Sequence, residues 1–383
     1  MMENRKIKVL VFDPDVSGHH LEYIQHIYGG FVRNHVPSVF VVRKEFQERM
    51  AFGKFPRSTQ IEFRYLSSDE IDKIINPSIL LGNYKRVKVL LKYTKEINPE
   101  YVFLITIIPY FPLVFIIRAK VIGIIYNLHT RNEKPVRFNP FYFVYWIFSK
   151  IKMIHTVFIL NDPATSRMLC KHFNTTKFKF LPDPFPDISI DQIKDLKGRL
   201  KIPSTNFVFS HIGSMSINKG TMDILSAIRK LDKDIIKCTT FIFAGIIYDS
   251  ISEPFEKELK VCMEEKGADI HVFNQFCTYD FLASVVKTSN YLLIPYKYVG
   301  QSSGMINYSM RFAIPLIGPA DGLLGHLINA YHLGFTLKEI NPQILAELIT
   351  DIATKRVNYL IKHDKGKTGS VTEFSEEILK TIG

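Results

Sequence analysis

The sequence predicts an α/β protein built from two doubly wound Rossmann-like domains. Short apolar runs alternate with helix-period stretches along nearly the whole chain. The stretch LPDPFPDIS (Leu181–Ser189) breaks that rhythm with prolines, and the rhythm restarts after it. Finally, 383 residues with 46% apolar content suit two domains at roughly 100–200 residues each.

In the first half the apolar runs predict strands over Lys8–Phe12, Val39–Val42, Ile61–Tyr65, Tyr101–Thr106, Val121–Tyr126 and Val157–Leu160. Helix-period stretches such as Leu21–Val32 and Tyr84–Glu96 lie between them. Continuous apolar strands separated by helices predict a parallel sheet covered on both faces. The second half repeats the scheme, with strands expected at Phe207–Ile212, Thr240–Ala244, Ile270–Phe273, Tyr291–Ile294 and Leu316–Ile317. Its helices are expected over Met222–Leu231, Pro254–Lys266, Tyr279–Lys287 and Ile306–Phe312. The domains are placed at 1–185 and 186–365, with 366–383 as a C-terminal helix packing back on the first. Two such sheets are expected to face a central cleft, where the carboxyl ends of the strands bind ligands.

Four cysteines, Cys170, Cys238, Cys262 and Cys277, are scattered without metal-ligand spacing and read as reduced thiols. The start, MMENRKIKVLVFD, enters a strand directly and lacks the long apolar core of a signal peptide. Tyr101–Ile117 is apolar, but Pro109 and Pro112 interrupt it, and a spanning helix needs about 20 residues. The formal net charge of +12 is uneven: residues 1–180 carry 27 Lys and Arg against 14 Asp and Glu, and residues 181–383 carry 22 against 23. Such asymmetry points to an anionic surface for the first half alone. No nucleic-acid module accompanies it, which leaves an anionic membrane as the expected partner.

Two stretches carry candidate chemistry. In FSHIGSMSINKGTMDILSAI (Phe209–Ile228) a strand passes through Gly213 to Lys219-Gly220 and then a helix. A helix N-terminus attracts anions, and a lysine there adds a full charge, so Lys219 with the amides of Gly220 and Thr221 forms a phosphate cradle; a solvated loop lysine is the other reading. In IPYKYVGQSSGMINYSMRFAIPLIG (Ile294–Gly318), the small residues Gly300, Gln301, Ser302, Ser303 and Gly304 open another helix, where backbone amides can approach a ligand.

Together, the two α/β halves, the G-x5-K-G loop and the small-residue turn before a helix ending in x-P-L-I resemble a GT-B fold glycosyltransferase, and more narrowly glycosyltransferase family 4. FIFAG (Phe241–Gly245), FNQFCTYDFLASVVKTSNYLLIPY (Phe273–Tyr296) and DVSGHHLEYIQHI (Asp15–Ile27) extend the resemblance over nearly the whole chain. It implies retaining transfer of a sugar from a nucleotide-sugar, usually without a metal and with no cofactor beyond that substrate. On this likeness Lys219 holds the donor diphosphate and Gly18 lies in the turn beneath it. Phe276 and Cys277 match the positions that flank the base, with a place in the core as the other reading. The family's arginine after the loop glycine is Ser214 here, and its Glu-x7-Glu pair falls on Gly300 and Tyr308. Gln301, Ser302, Ser303, Met305, Asn307 and Tyr308 are then the candidates for holding the donor, whose identity stays open.

On the acceptor side, His19 and His20 adjoin Gly18, with Glu22 one turn on. Adjacent histidines diverge on a helix, so no metal is expected. Asp13 and Asp15 are the nearest acids, in a position where turn acids are ordinarily at the surface. His129, in YNLHTRNEKP after a strand, matches a histidine that lies near the acceptor hydroxyl in several family members, and is taken with Lys219 as catalytic. In NYKRVKVLLKYTKEIN (Asn83–Asn98), Lys85, Lys88, Lys92 and Lys95 share one helix face and Tyr84, Val87 and Leu91 another. FNPFYFVYWIFSKIK (Phe138–Lys152) is crowded with aromatics around Trp146, which suits either a buried helix or a bilayer interface.

The expected protein is a cytoplasmic glycosyltransferase bound peripherally to the inner face of a membrane. Its partners are a nucleotide-sugar donor, a lipid-linked or saccharide acceptor and the anionic membrane surface, and its role is surface polysaccharide or glycan assembly. The rivals are a soluble transferase with a small acceptor and a non-catalytic glycosyltransferase-like subunit.

Overall fold

The computed structural model describes residues 6–16, 20–51, 58–75, 78–126, 140–185, 188, 193–300, 302–361 and 369–383. The chain divides into two compact units, one formed by Met1–Pro184 with Ser370–Gly383 and the other by Phe185–Gly369.

Among the described residues the first unit holds a seven-stranded parallel sheet. Its strands are β1 (Val9–Asp13), β2 (Ser38–Val42), β3 (Ile61–Tyr65), β4 (Tyr101–Leu104), β5 (Lys120–Ile125), β6 (Ile154–Leu160) and β7 (Phe178–Leu181), in the order β3-β2-β1-β4-β5-β6-β7. β1 lies at the centre, with Val9 opposite both Ser38 and Tyr101. Side chains alternate across a strand, so a sheet covered on both faces favours apolar residues on both sides of each strand. β1 shows it: Leu10 and Phe12 enter one core, Val9 and Val11 the other, and all four are buried. The helix His20–Arg33 covers the second of these faces. The helix Val371–Ile382 lies against it, started by a Ser370–Glu373 capping box and anchored by buried Phe374, Ile378 and Ile382. Gly30 makes room for Ser375, whose hydroxyl also accepts from Arg33 at 3.2 Å.

The second unit holds a six-stranded parallel sheet of β8 (Phe207–Ile212), β9 (Thr239–Ala244), β10 (Asp269–Phe273), β11 (Tyr291–Leu293), β12 (Leu316–Pro319) and β13 (Gly334–Leu337). The order β10-β9-β8-β11-β12-β13 reverses direction between β8 and β11. In open parallel sheets ligands bind outside the carboxyl ends at such a reversal.

The edge strands β7 and β13 were not among the strands expected from sequence. Each is only partly buried, and FKFL and GFTL carry a polar residue that breaks the apolar run. The helix expected from Pro254 starts instead at Asp249 and passes into a π-helical turn at Val261–Glu265. Burial of Ile251 and Phe255 on one face outweighs the backbone hydrogen bond lost at Pro254. No helix among the described residues is long and apolar enough to cross a membrane. All four cysteines are free thiols.

Candidate functional site

β8 ends at Ile212, and Gly213 turns the chain with φ +101°. Pairing with the neighbouring strand continues past this turn. Gly213 N–H donates to the Ala244 carbonyl at 2.9 Å, and Met215 N–H to that of Ile246 at 2.8 Å. A 3-10 turn, Ile217–Lys219, then leads to Gly220 at φ +68° and the helix Thr221–Lys230. Gly220 caps that helix with no side chain over its first amides. The two amides expected to cradle a phosphate are engaged by the 3-10 turn itself: Gly220 N–H donates to the Ile217 carbonyl at 3.0 Å and Thr221 N–H to that of Ser216 at 3.4 Å, which leaves Lys219 and the helix dipole as the positive features. A Cβ on Gly220 would overlap the Pro295 carbonyl, so this crossing of two loops requires glycine.

The loop after β11 is fastened to the same turn. Lys297 N–H donates to the Asn218 carbonyl at 2.9 Å, and Lys297 Nζ meets Asp223 at 2.9 Å. Lys219 Nζ stands 3.7 Å from the centre of the Tyr296 ring, whose face attracts a cation. Tyr296 is buried, so its ring is a fixed seat for the half-buried lysine. Sequence reasoning found Lys219 and missed Tyr296. The strand-ending Pro295-Tyr296 was the available signal, but the pairing needs the tertiary crossing.

Gly213, Ser214, Lys219 and Gly220 thus lie on one loop, whose end at Asn218–Gly220 is held against Pro295–Lys297 and whose start at Gly213 is held against Ala244. Ser303, Gly304, Met305, Asn307 and Tyr308 lie at the start of the helix Gly304–Phe312, preceded by Ser302. Ser303 Oγ caps this helix by accepting from the Met305 amide at 3.3 Å. Tyr308 stacks on Phe312 and meets Phe185 edge-on, which makes its ring a core element. After the edge strand β10, Phe276 is 77% exposed while Cys277 is partly covered, and burial pushes its thiol pKa up. Gln301 lies outside the described residues, as do Gly18, His19 and His129.

In the first unit one of the two acids near Gly18 differs from expectation. Asp13 is not a surface acid: it is 1% exposed at the end of a central strand, because β1 is covered on both faces. Its carboxylate meets His20 Nδ1 at 2.8 Å and accepts the Asp15 amide at 3.1 Å. Burial holds the Asp13 pKa above the ordinary carboxylate range, with His20 opposing. At His20 burial disfavours the charge, yet the Asp13 carboxylate carries its pKa above the usual histidine value. Arg86 forks onto Asp15 at 2.6 and 3.2 Å. Asp13, Asp15 and His20 offer ligand atoms within 4.8 Å of one another, a grouping the sequence reading did not expect. Arg86 already supplies that cluster with a cation. Beside it Tyr23 donates to Asp183 at 2.6 Å and stacks on Tyr126.

Of the four lysines on the helix Ile79–Ile97, Lys88, Lys92 and Lys95 are exposed and Lys85 is half-buried. Lys92 is bound to Glu70 at 2.9 Å, so it is not part of a free basic row. The expected apolar face is buried at Val87 but bare in the first turns, where Leu80, Leu81 and Tyr84 are exposed. The aromatic helix Pro140–Lys150 divides its rings between core and surface. Tyr142, Tyr145 and Phe148 are core, whereas Phe143 and Trp146 stack on each other at the surface.

No family model matches the sequence, and no curated protein matches it. Solved structures do match in three dimensions. Anabaena Alr3699/HepE in complex with UDP and glucose superposes with a TM-score of 0.67 at 16% identity, over 98% of this chain and 99% of that one. A glycosyltransferase from Rickettsia africae ESF-5 gives 0.63 at 14%, over 99% and 94%. WaaG, a glycosyltransferase involved in lipopolysaccharide biosynthesis, gives 0.62 at 14%, over 90% of each chain. The chain has the fold of the GT-B glycosyltransferases.

Proposed function

We propose that a chain with this fold and this loop is a glycosyltransferase that moves a sugar from a nucleoside-diphosphate sugar to a lipid-linked or saccharide acceptor, with retention, in surface polysaccharide or glycan assembly. One observation carries the reading: Lys219, seated on Tyr296, at a glycine-capped helix start beyond the carboxyl end of β8. As the sugar leaves, negative charge grows on the distal phosphate. A cation already fixed in place beside a helix start stabilises that charge without reorganising. The exposed Phe276 ring offers a face for a nucleotide base. HepE was solved with UDP and glucose, which makes UDP-sugars the first donors to try.

A thermal-shift panel of nucleoside-diphosphate sugars tests the reading. A donor at a hundredfold excess over its Kd stabilises the native state by about 2.7 kcal/mol, enough to raise Tm by several degrees. No shift with any member of the panel refutes it. The non-catalytic subunit keeps a specific basis in Ser214, Gly300 and Tyr308, which replace the cation and the two glutamates that the family resemblance leads one to expect. Nucleotide binding without sugar release or transfer selects that alternative.

Metal independence is part of the proposal, since Lys219 and the helix start supply the positive field that a cation would otherwise bring to a diphosphate. Transfer is expected to continue at the same rate in excess EDTA. Loss of activity restored by Mg²⁺ or Mn²⁺ overturns this.

We also propose that the first unit docks on anionic membrane. Lys88 and Lys95 supply charge, and the stacked Phe143 and Trp146 supply an apolar anchor. Each lysine near such a surface contributes about 1 kcal/mol, screened beyond about 8 Å at physiological salt. Flotation with anionic vesicles is expected to weaken with salt and with Lys88→Gln plus Lys95→Gln. Trp146, the sole tryptophan, is expected to shift to the blue on binding. A chain that ignores vesicles at every ionic strength refutes the docking.

A further inference from the structure

His211 is the penultimate residue of β8 and is 1% exposed. Its Nδ1 lies 2.8 Å from the Leu293 carbonyl oxygen at the end of β11. Its Nε2 lies 3.0 Å from Oγ1 of Thr221, the first residue of the helix Thr221–Lys230. A carbonyl oxygen only accepts, so Nδ1 carries the proton. In the neutral ring Nε2 is then a bare acceptor, and the Thr221 hydroxyl donates to it. The same Thr221 oxygen accepts the Ser216 amide N–H at 3.1 Å. One imidazole therefore ties together β11, the helix start and the turn between Gly213 and Gly220. The edge-on Phe243 ring, 6.1 Å away, packs against it. Burial above all, with repulsion from Lys219, pushes the His211 pKa down to about 4.

Resting on the glycosyltransferase reading, we infer that His211 is a positioning residue: as a neutral, Nδ1-protonated imidazole it locks the Lys219 turn to β11 through Thr221 and so sets where Lys219 meets the donor diphosphate. The lock acts through Thr221 and Ser216 and touches no reacting atom. Its effect falls on kcat, because a misplacement of about 1 Å in groups that act on the transition state can cost on the order of 10²-fold.

The test uses the full chain in two measurements. In ¹⁵N-histidine NMR, His211 is expected to show the Nδ1–H tautomer and to keep it from pH 8 down to pH 5. An Nε2–H tautomer, or a midpoint near the ordinary value of about 6.5, overturns the lock whatever the activity. In transfer kinetics with a UDP-sugar, Thr221→Val is expected to lower kcat by about tenfold or more with a smaller change in donor KM. Thr221→Ser is expected to recover most of that loss. His211→Asn, which keeps a donor for Leu293 but cannot reach Thr221, is expected to match Thr221→Val. A Thr221→Val chain with lower Tm and unaltered kcat makes the contact structural only and overturns the positioning role. A chain with the expected tautomer that binds no nucleoside diphosphate confirms the lock and refutes the functional reading instead.

Discussion

Replacing Lys219 with Ala is expected to lower turnover by on the order of 10²–10³, the scale of losing one preorganised group that meets developing charge. The structure explains why the loss should fall on kcat. The Tyr296 ring holds the ammonium at the mouth of the turn before any donor arrives, so little ordering is left for the reaction itself. Removing the side chain vacates no core position, because Lys219 is half-exposed and Gly220 still makes the crossing with Pro295. Tm should therefore change little. Steady-state kinetics on a folded Lys219→Ala chain decides the matter: unaltered kcat removes Lys219 from the chemistry.

The second large effect is on folding. Gly245 follows β9 at φ +143°, and a Cβ there would fall inside the Gly213 carbonyl group. Gly245→Ala therefore combines a backbone conformation that side chains rarely adopt with a collision against backbone, which cannot rotate away. Costs of about 1–3 kcal/mol for each put the total near 4 kcal/mol. For a unit of 185 residues that is a fall in Tm on the order of 10 °C. Calorimetry on the variant measures it directly. A Tm within a degree or two of the parent would mean that the β8 and β9 loops do not approach as closely as described.

Both effects depend on a fold that the sequence made visible in its broad plan. Strands such as VLVFD and FIFA are buried on both faces, so a run of apolar residues stands out in each. Lys219 was legible because glycine beside lysine at a strand–helix junction is a local pattern. Tyr296 and His211 were not, since each acts on a partner from another part of the chain: Lys219 is 77 positions from its ring, and His211 is 82 from Leu293. Asp13 illustrates the same limit. An acid after a strand looks like a turn residue until the covering of β1 on both faces buries it against His20. The aromatic helix Pro140–Lys150 left two readings open because aromatics occur on both of its sides, and only the core packing separates Tyr145 from Trp146.

The helix Val371–Ile382 belongs to the first unit but is separated from the rest of it by the 185 residues of Phe185–Gly369. On the ribosome, at about 5–20 residues per second, the first unit waits roughly 10–40 s between the emergence of Pro184 and that of its last helix. During that interval the face of the helix His20–Arg33 destined for Phe374, Ile378 and Ile382 is bare, and Gly30 has no Ser375 to receive. The second unit is contiguous and can mature first. The second unit can therefore be complete before the first, whose Rossmann layer is closed only by a segment made after the whole of Phe185–Gly369.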